Sequence, residues 1–251
     1  MAQTEINVAS TLDGSLQPSL FFEADTNEKA PLLVGLHTWS FDRHNPVARM
    51  AQVANSLGWH FLSPEFRGPN LVSNPQRTDA CGSPLAKQDI ADAIDYVCAH
   101  YAVDAENLFL LGCSGGGHMA LLMAGLCPER FKAIASFVPI TDLRCWAEQN
   151  ENYRHHVLAC CDNSEDEMYR RSPIAYLDGI ARSNTKIFHG KYDPVVPVSH
   201  SLILFEQLMK THPQSRVFLD VFDGGHQMDM EQALYWLRSQ QTTAAVTDVT
   251  G

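Results

Sequence analysis

The sequence predicts an α/β protein built on a mostly parallel sheet with helices on both faces. Short and almost unbroken apolar runs, at residues 31–37, 108–111 and 133–138, are typical of strands that are buried on both faces of a sheet. Segments with the apolar spacing of helices lie between these runs, for example at 84–101. Strands that alternate with helices in this way favour a parallel sheet.

Length and charge are consistent with one globular domain over residues 1–251. The formal net charge is −11, from 18 basic and 29 acidic residues, which argues against nucleic acid or an anionic membrane as a partner. The first ten residues have neither a basic nor an apolar stretch, so no signal peptide is visible. The seven cysteines include several in apolar runs, and a reduced, cytoplasmic setting is expected. The sequence leaves the oligomeric state open.

The first third of the chain reads as a hairpin followed by alternating strands and helices. Segments 5–10 and 17–24 flank Asp13-Gly14, and Pro18 suits an edge strand. Residues 46–57 have helical spacing, and 60–64 form the next apolar strand. Ser83 and Pro84 provide the cap and first position of a long helix.

The strand at 108–111 runs directly into the main functional motif. Gly112-x-Ser114-x-Gly116 matches G-x-S-x-G, and it lies between a strand and a helical pattern, which is the context that a nucleophile elbow requires. The turn strains the serine backbone, and a Cβ two residues to either side would collide with neighbouring backbone. Ser114 is therefore the candidate nucleophile, exposed at the carboxyl edge of the sheet.

Candidates for the acid and the base follow in order along the chain. Asp193 follows the strand that begins at Lys186, within the sequence HGKYDPVVP. His226 follows the strand at 217–222, in a Gly-Gly-His loop. The order Ser114, Asp193, His226 is the order found in α/β-hydrolases. Asp142, after the strand at 133–138, is an alternative acid, but its surroundings are generic and Asp193 is preferred.

With these three motifs, residues 30–240 resemble serine hydrolases of the α/β-hydrolase fold, in the prolyl oligopeptidase-like and carboxylesterase branch. HG-x-x-D-x-x-V-P and G-G-H recur there as acid and base motifs. The resemblance implies a mostly parallel eight-stranded sheet with a small cap insertion. It also implies acyl transfer through an acyl-enzyme, with no metal and no organic cofactor.

The segment after strand 31–37 reads His37-Thr38-Trp39-Ser40, where the resembled family carries His-Gly. Thr38 stands in place of the usual glycine. By matching, the oxyanion hole is expected to consist of the N–H groups of Gly115 and Trp39, with Thr38 or Ser40 as an alternative second donor. Trp39 could instead serve only in packing.

Residues 143–180 differ in composition from the core segments and are expected to form a cap over the site. Trp146 in this insertion is a candidate substrate contact, as are Thr38 and Trp39. Arg67 is expected either to contact substrate or, preferably, to brace its own loop. A zinc site at His156 and Cys160 is disfavoured because no second ligand pair has a familiar spacing. The tail at about 240–251 is expected to be disordered.

Hydrolysis of a small ester is the preferred function, with a short-acyl or carbohydrate ester as substrate. A chain of 251 residues is not expected to include the β-propeller that restricts prolyl oligopeptidases to short peptides. In addition, the barrier to hydrolysis is higher for an amide than for an ester. A prolyl oligopeptidase-like peptidase acting on short peptides is the first alternative. A non-catalytic binding protein of this fold is the second, and the presence of all three triad residues argues against it.

Overall fold

A computed structural model describes residues 2–242, in which eight strands form one sheet in the order β1-β2-β4-β3-β5-β6-β7-β8. The strands are β1 Ala2–Ala9, β2 Leu16–Glu23, β3 Ala30–Leu36, β4 His60–Pro64, β5 Val103–Cys113, β6 Ala133–Phe137, β7 Asn184–Gly190 and β8 Arg216–Phe222. Strand β2 is antiparallel to both β1 and β4, and the pairs from β4 through β8 are parallel. The predicted mostly parallel sheet is confirmed.

The helices of the described residues alternate with the strands from β3 onward. They are α1 Gln52–Ser56, α2 Pro84–His100, α3 Gly115–Leu126, α4 Leu143–Gln149, α5 Glu151–Cys160, α6 Glu165–Arg170, α7 Leu177–Arg182, α8 Ser199–Thr211 and α9 Met230–Ser239. A π-helical turn, Val47–Ala51, precedes α1, and a 3₁₀ turn, Pro173–Tyr176, precedes α7. The Ser83 hydroxyl accepts from the Ala86 N–H at 3.1 Å and caps α2 as the sequence predicts.

Two apolar layers cover the sheet, one on each face. Helices α2, α3, α7 and α8 contribute to the first layer with residues such as Ile90 and Leu122. The π-helical turn, α1 and α9 contribute to the second layer, in which Trp59 stacks on Phe109 with ring centroids 4.5 Å apart. Burial on both faces explains why the central strands read as continuous apolar runs.

A third apolar cluster lies under helices α4 to α6 and includes Trp146, Val157 and Met168. These helices lie within the segment 143–180 that is predicted as a cap, whereas the end of that segment packs on the core. Helix α7 packs tightly on α3, since a Cβ added to Gly179 would lie 1.8 Å from the Gly125 carbonyl oxygen. Residues 173–182 therefore belong to the helical layer of the core.

Within residues 2–242 no helix combines the length and the apolar character needed to cross a membrane. Of the tail predicted to be disordered at about 240–251, residues 243–251 lie outside the described residues.

Candidate active site

The turn between β5 and α3 holds Ser114 in a backbone conformation that L-residues rarely adopt, with φ 56° and ψ −118°. Neighbouring backbone encloses the turn. A Cβ on Gly112 would lie 2.1 Å from the Gly116 carbonyl oxygen, and one on Gly116 would lie 2.4 Å from the Leu36 carbonyl oxygen. The Ser114 N–H donates to the Phe137 carbonyl at 2.9 Å. The motif thus has glycine two residues before and two residues after Ser114 because a Cβ at either position would collide with backbone.

Asp193 and His226 form a hydrogen-bonded pair. His226 Nδ1 lies 2.7 Å from Asp193 Oδ2, while Asp193 Oδ1 accepts from the N–H groups of Val195 and Val196 at 2.8 and 2.9 Å. Burial raises the pKa of Asp193, but the hydrogen bonds from His226 and the two amides outweigh it and hold that pKa below its usual value. A charged Asp193 keeps the proton of His226 on Nδ1, which leaves Nε2 free to act as a base.

The loops that carry this pair cross each other backbone to backbone. A Cβ on Gly190 would lie 2.1 Å from the Gly225 carbonyl oxygen, and the Tyr192 N–H donates to the Gly224 carbonyl at 2.9 Å. Beneath them the buried His189 contacts the Val196 carbonyl oxygen through Nε2 at 2.8 Å and the Ser201 hydroxyl through Nδ1 at 2.7 Å. The close backbone approach at Gly190 therefore holds the acid and base loops together, and His189 anchors the acid loop.

Asp142, the alternative acid, has a different role in the structure. Its Oδ1 accepts from the Cys145 N–H at 3.0 Å and caps the N-terminus of α4. Of the two aspartates, the one that is bonded to His226 is Asp193.

The amides predicted to form the oxyanion hole lie side by side. A Cβ on Gly115 would be 2.5 Å from the Trp39 backbone nitrogen, so the two backbones are in contact. Within residues 2–242 neither N–H donates to another protein atom. The Thr38 N–H, one of the alternatives, donates to Asn45 Oδ1 at 3.1 Å and is thereby engaged. Ser40 is the other alternative, and the backbone contact of Gly115 with Trp39 rather than with Ser40 favours Trp39 as the second donor.

Ser114 and His226 line the same cavity of about 510 Å³. The Ser114 hydroxyl and His226 are not hydrogen-bonded to each other in the described residues. One wall carries Tyr153 of α5, which connects the cavity to the cap, and the floor is apolar through Leu36 and Met50. The full lining is Leu36, Thr38, Trp39, Ser40, Phe41, Asn45, Pro46, Ala48, Arg49, Met50, Cys113, Ser114, Tyr153, His226, Gln227 and Met228.

The lining includes two of the predicted substrate contacts, Thr38 and Trp39, but it does not include Trp146. The Trp39 side chain is 2% exposed and packs against Trp146 with ring centroids 4.8 Å apart. Trp146 is fully buried, and its Nε1 donates to the Val195 carbonyl at 2.8 Å. The prediction that Trp146 contacts substrate is therefore wrong, because this side chain forms the support behind Trp39.

Arg67 also lies outside the lining, and it braces its loop. Its guanidinium is buried between two carboxylates, with Nε 2.6 Å from Asp89 Oδ2 and Nη1 2.9 Å from Asp13 Oδ2. These bonds hold a loop in which Phe66, Arg67 and Gly68 all have positive φ. The structure supports bracing, the preferred reading, and contradicts substrate contact.

His118 of α3 and the residues of the disfavoured zinc site, His156 and Cys160, have structural contacts. His118 is buried and donates from Nδ1 to the Ile140 carbonyl at 3.0 Å. His156 Nδ1 accepts from the Val72 N–H at 3.1 Å, while Cys160 lies buried in the cluster under the cap. In the part of the chain that the structure describes, no group of three or more His, Cys, Asp or Glu side chains could hold a metal ion.

Sequence reasoning missed Arg49, Tyr153 and Met228 as parts of the cavity. Met228 follows His226 by two residues, so its position in the sequence was a usable signal. Arg49 lies in a segment read as an ordinary amphipathic helix, and its side of that helix depends on how the π-helical turn packs. Tyr153 stands in the insertion, where no periodicity indicates which side chain points to the cavity.

The fold and the site together define a serine hydrolase of the α/β-hydrolase fold. A strained serine and a histidine that is bonded to an aspartate line one cavity, and the backbone of Gly115, which follows that serine, is in contact with the backbone of Trp39. The profile of the Peptidase_S9 family, the prolyl oligopeptidase family, matches residues 84–244. The chain belongs to the prolyl oligopeptidase family.

Similar proteins are longer than this chain. Acylamino-acid-releasing enzyme 2 of Oryza sativa subsp. japonica is 25% identical in an alignment 246 residues long, and this alignment covers 88% of this chain and 31% of that protein. Inactive dipeptidyl peptidase 10 of Mus musculus is 28% identical over 147 residues, 58% of this chain and 17% of that protein. The structure of the Pyrococcus horikoshii acylaminoacyl peptidase superposes with a TM-score of 0.74 at 19% identity, over 91% of this chain and 38% of that one. The match thus spans about a third or less of the length of the rice and mouse proteins, and 38% of the Pyrococcus horikoshii chain.

Proposed function

We propose that this chain is a serine peptidase that hydrolyses short peptides through an acyl-enzyme. The observation that carries the proposal is the Asp193–His226 hydrogen bond of 2.7 Å at a cavity that also contains the strained Ser114. Membership of the prolyl oligopeptidase family and the names of the relatives, which are acylamino-acid-releasing and acylaminoacyl enzymes, support peptides as substrates.

In the proposed mechanism Ser114 is the nucleophile and His226 is the general base. Asp193 keeps the imidazole in the tautomer with the proton on Nδ1, so Nε2 takes the proton of the Ser114 hydroxyl as the oxygen attacks the carbonyl carbon. In structures without substrate this serine–histidine hydrogen bond is commonly long, and it tightens in the complex. His226 then gives the proton to the departing amine.

The oxyanion forms against the amides of Gly115 and Trp39. Both N–H groups are free of protein acceptors in the described residues, so they can donate to the substrate oxygen as it becomes negative. Each such donor contributes about 3 kcal/mol to transition-state stabilisation. Water then hydrolyses the acyl-enzyme, with His226 again acting as base and acid.

The cavity supports a small substrate. Its volume of about 510 Å³ lies within the range of small-molecule sites. Its apolar floor, formed by Leu36, Met50 and Cys113, suits a small acyl or amino-acid side chain next to Ser114.

The ester hydrolase that the sequence favours gains no support from the comparisons, and the peptidase alternative is supported better. A non-catalytic protein remains the contrasting class, since one relative is named an inactive dipeptidyl peptidase. In this chain the serine, the histidine and the aspartate are all present, and the last two are bonded to each other. This favours catalysis.

The test compares wild type with Ser114→Ala on N-acetyl-alanine p-nitroanilide, short N-acetylated peptides and p-nitrophenyl acetate, together with labelling by a fluorophosphonate probe. We expect Ser114-dependent cleavage of amides and Ser114-dependent labelling. Cleavage of the ester alone would return the assignment to an esterase. No labelling of folded wild type would favour the non-catalytic class.

A further inference from the structure

We propose that Arg49 determines specificity by binding a carboxylate on the leaving group of the substrate. This inference rests on the proposed hydrolytic function of Ser114 and deepens it. It assigns the leaving group to one chemical class, an amino acid or short peptide with a free carboxylate close to the cleaved bond.

Arg49 is directed to the cavity by the way in which its helical turn packs. The turn Val47–Ala51 buries Met50 and Ala51 in the apolar layer over the sheet. Arg49 itself is exposed and lines the same cavity as Ser114 and His226. Arg49 and a substrate that is bound at the serine would thus occupy the same cavity.

Among residues 2–242, the guanidinium of Arg49 forms no ion pair and no side-chain hydrogen bond. Arg43 and Arg67, by contrast, each bind two carboxylates. Arg49 is also the one Lys, Arg, Asp or Glu side chain in the described lining of the cavity. In a chain of net charge −11, an unpaired cation in the lining of the cavity that contains Ser114 offsets the repulsion that an anionic substrate would otherwise meet.

The neighbours of Arg49 indicate the side of the cavity on which it acts. Arg49 also lines an adjoining hollow of about 550 Å³ together with Gln227 and Met228, the residues that follow His226. His226 protonates the leaving group, so groups beside His226 face the leaving group rather than the acyl group. Arg49 therefore borders the loop that carries His226, the residue that protonates the amine product.

Two acidic residues share this hollow with Arg49. Asp229 caps α9, where its Oδ1 accepts from the Gln232 N–H at 3.1 Å. Glu231 lines the hollow as well, and it forms no ion pair with Arg49 within the described part of the chain. The guanidinium fork therefore has its donors available to bind a carboxylate in bidentate geometry.

The experiment measures kcat and KM for two matched pairs of substrates. The first pair is an N-acetylated dipeptide and the same dipeptide with a C-terminal amide. The second pair is 4-acetoxybenzoic acid and its methyl ester, in which an acetyl ester is cleaved and the leaving phenol carries the carboxylate or lacks it. The proteins are wild type, Arg49→Gln, Arg49→Lys and the control Arg154→Gln. Arg154 is an exposed arginine of the cap that does not line the cavity.

For each pair, we expect the kcat/KM of wild type to be about tenfold higher for the substrate with the carboxylate than for the neutral one. The difference should lie mainly in KM, because the hydrogen bond to the charged group strengthens substrate binding. Arg49→Gln should abolish the preference, Arg49→Lys should keep part of it, and Arg154→Gln should retain it. An equal preference in wild type and Arg49→Gln would overturn the role of Arg49 while hydrolysis stands.

The second pair separates the two ways in which the proposals can fail. If the peptides resist cleavage but the carboxylate preference on the aryl esters depends on Arg49, the peptidase assignment is wrong and the role of Arg49 is supported. If neither pair is cleaved and the probe does not label Ser114, both proposals fall together.

Discussion

At the scale of single residues, one carboxylate decides whether His226 can act as a base. Asp193 uses one oxygen for two backbone amides and the other for His226, so its position is fixed on both sides. Asp142 uses its carboxylate to cap a helix instead. Two aspartates at the ends of neighbouring strands therefore have separate tasks, and the hydrogen bond to His226 distinguishes them.

The first prediction exploits this difference. Asp193→Asn should lower kcat about 10³- to 10⁴-fold, because an amide donates to Nδ1 and leaves the imidazole in the wrong tautomer. Asp142→Asn should leave kcat nearly unchanged, since asparagine caps helices about as well as aspartate. Steady-state kinetics on one amide substrate checks both variants. A large loss in Asp142→Asn with little loss in Asp193→Asn would reverse the assignment of the acid.

At the scale of elements, the site depends on loops that contact each other by backbone. The loops after β7 and β8 cross at Gly190 and Gly225, and this crossing sets the distance between Asp193 and His226. The two glycines differ in the room available for a side chain. A Cβ at Gly190 would lie 2.1 Å from a carbonyl oxygen, whereas the nearest atoms to a Cβ at Gly225 would be 4.0 Å away.

The second prediction compares alanine at these two glycines. Gly190→Ala should push the two loops apart, which lowers kcat about 100-fold and costs about 1–3 kcal/mol of stability. Gly225→Ala, in the same loop as His226, should have a much smaller effect on both. Activity assays and urea unfolding measure the two quantities. Equal losses in the two variants would show that the close approach at Gly190 does not position the pair.

At the scale of the whole molecule, the fold keeps several histidines neutral in its interior. Burial lowers the pKa of His118 to about 4, even though its hydrogen bond to the Ile140 carbonyl opposes that shift. Burial likewise lowers the pKa of His200 to about 4. These residues remain uncharged in the folded chain at a pH where the unfolded chain already binds protons.

The third prediction follows from this linkage. Above about pH 6.5 His118 is neutral in both states, and its contribution to stability is fully present. As the pH falls from 6.5 to about 4, the unfolded state binds a proton that the folded state does not, so stability is lost. His118→Gln should therefore reduce the drop in unfolding free energy between pH 7 and pH 5 by about 2 kcal/mol.

Urea unfolding of wild type and His118→Gln at the two pH values tests this prediction. The readout is the difference between the two pH values, which is independent of any constant loss of packing in the variant. His44→Gln, a change at an exposed histidine, serves as the control. An unchanged pH difference in His118→Gln would show that His118 does not contribute to the acid sensitivity of the fold.

The sequence by itself determined the fold class and the candidate nucleophile, acid and base. These features are local, because a strained serine turn needs glycine at fixed spacing, and buried parallel strands need continuous apolar runs. The amides of Gly115 and Trp39 were predicted as oxyanion donors by matching to the resembled family, although Thr38 stands where the family has glycine, and their role stays a prediction. With threonine at position 38, the backbone of Trp39 is in contact with Gly115.

Only the tertiary structure decided which side chains face the cavity. Whether Trp146 and Arg67 contact substrate depends on partners that are distant in sequence. Trp146 binds the Val195 carbonyl, and Arg67 binds Asp13 and Asp89. The direction of Arg49 is set by the packing of Met50 and Ala51 against the apolar layer. The sequence pattern alone therefore did not indicate that Arg49 faces the cavity. The physical reason is the same in each case. Backbone conformation depends on residues that are close in sequence, whereas side-chain exposure and ion pairing depend on residues that are distant in sequence and that folding brings together.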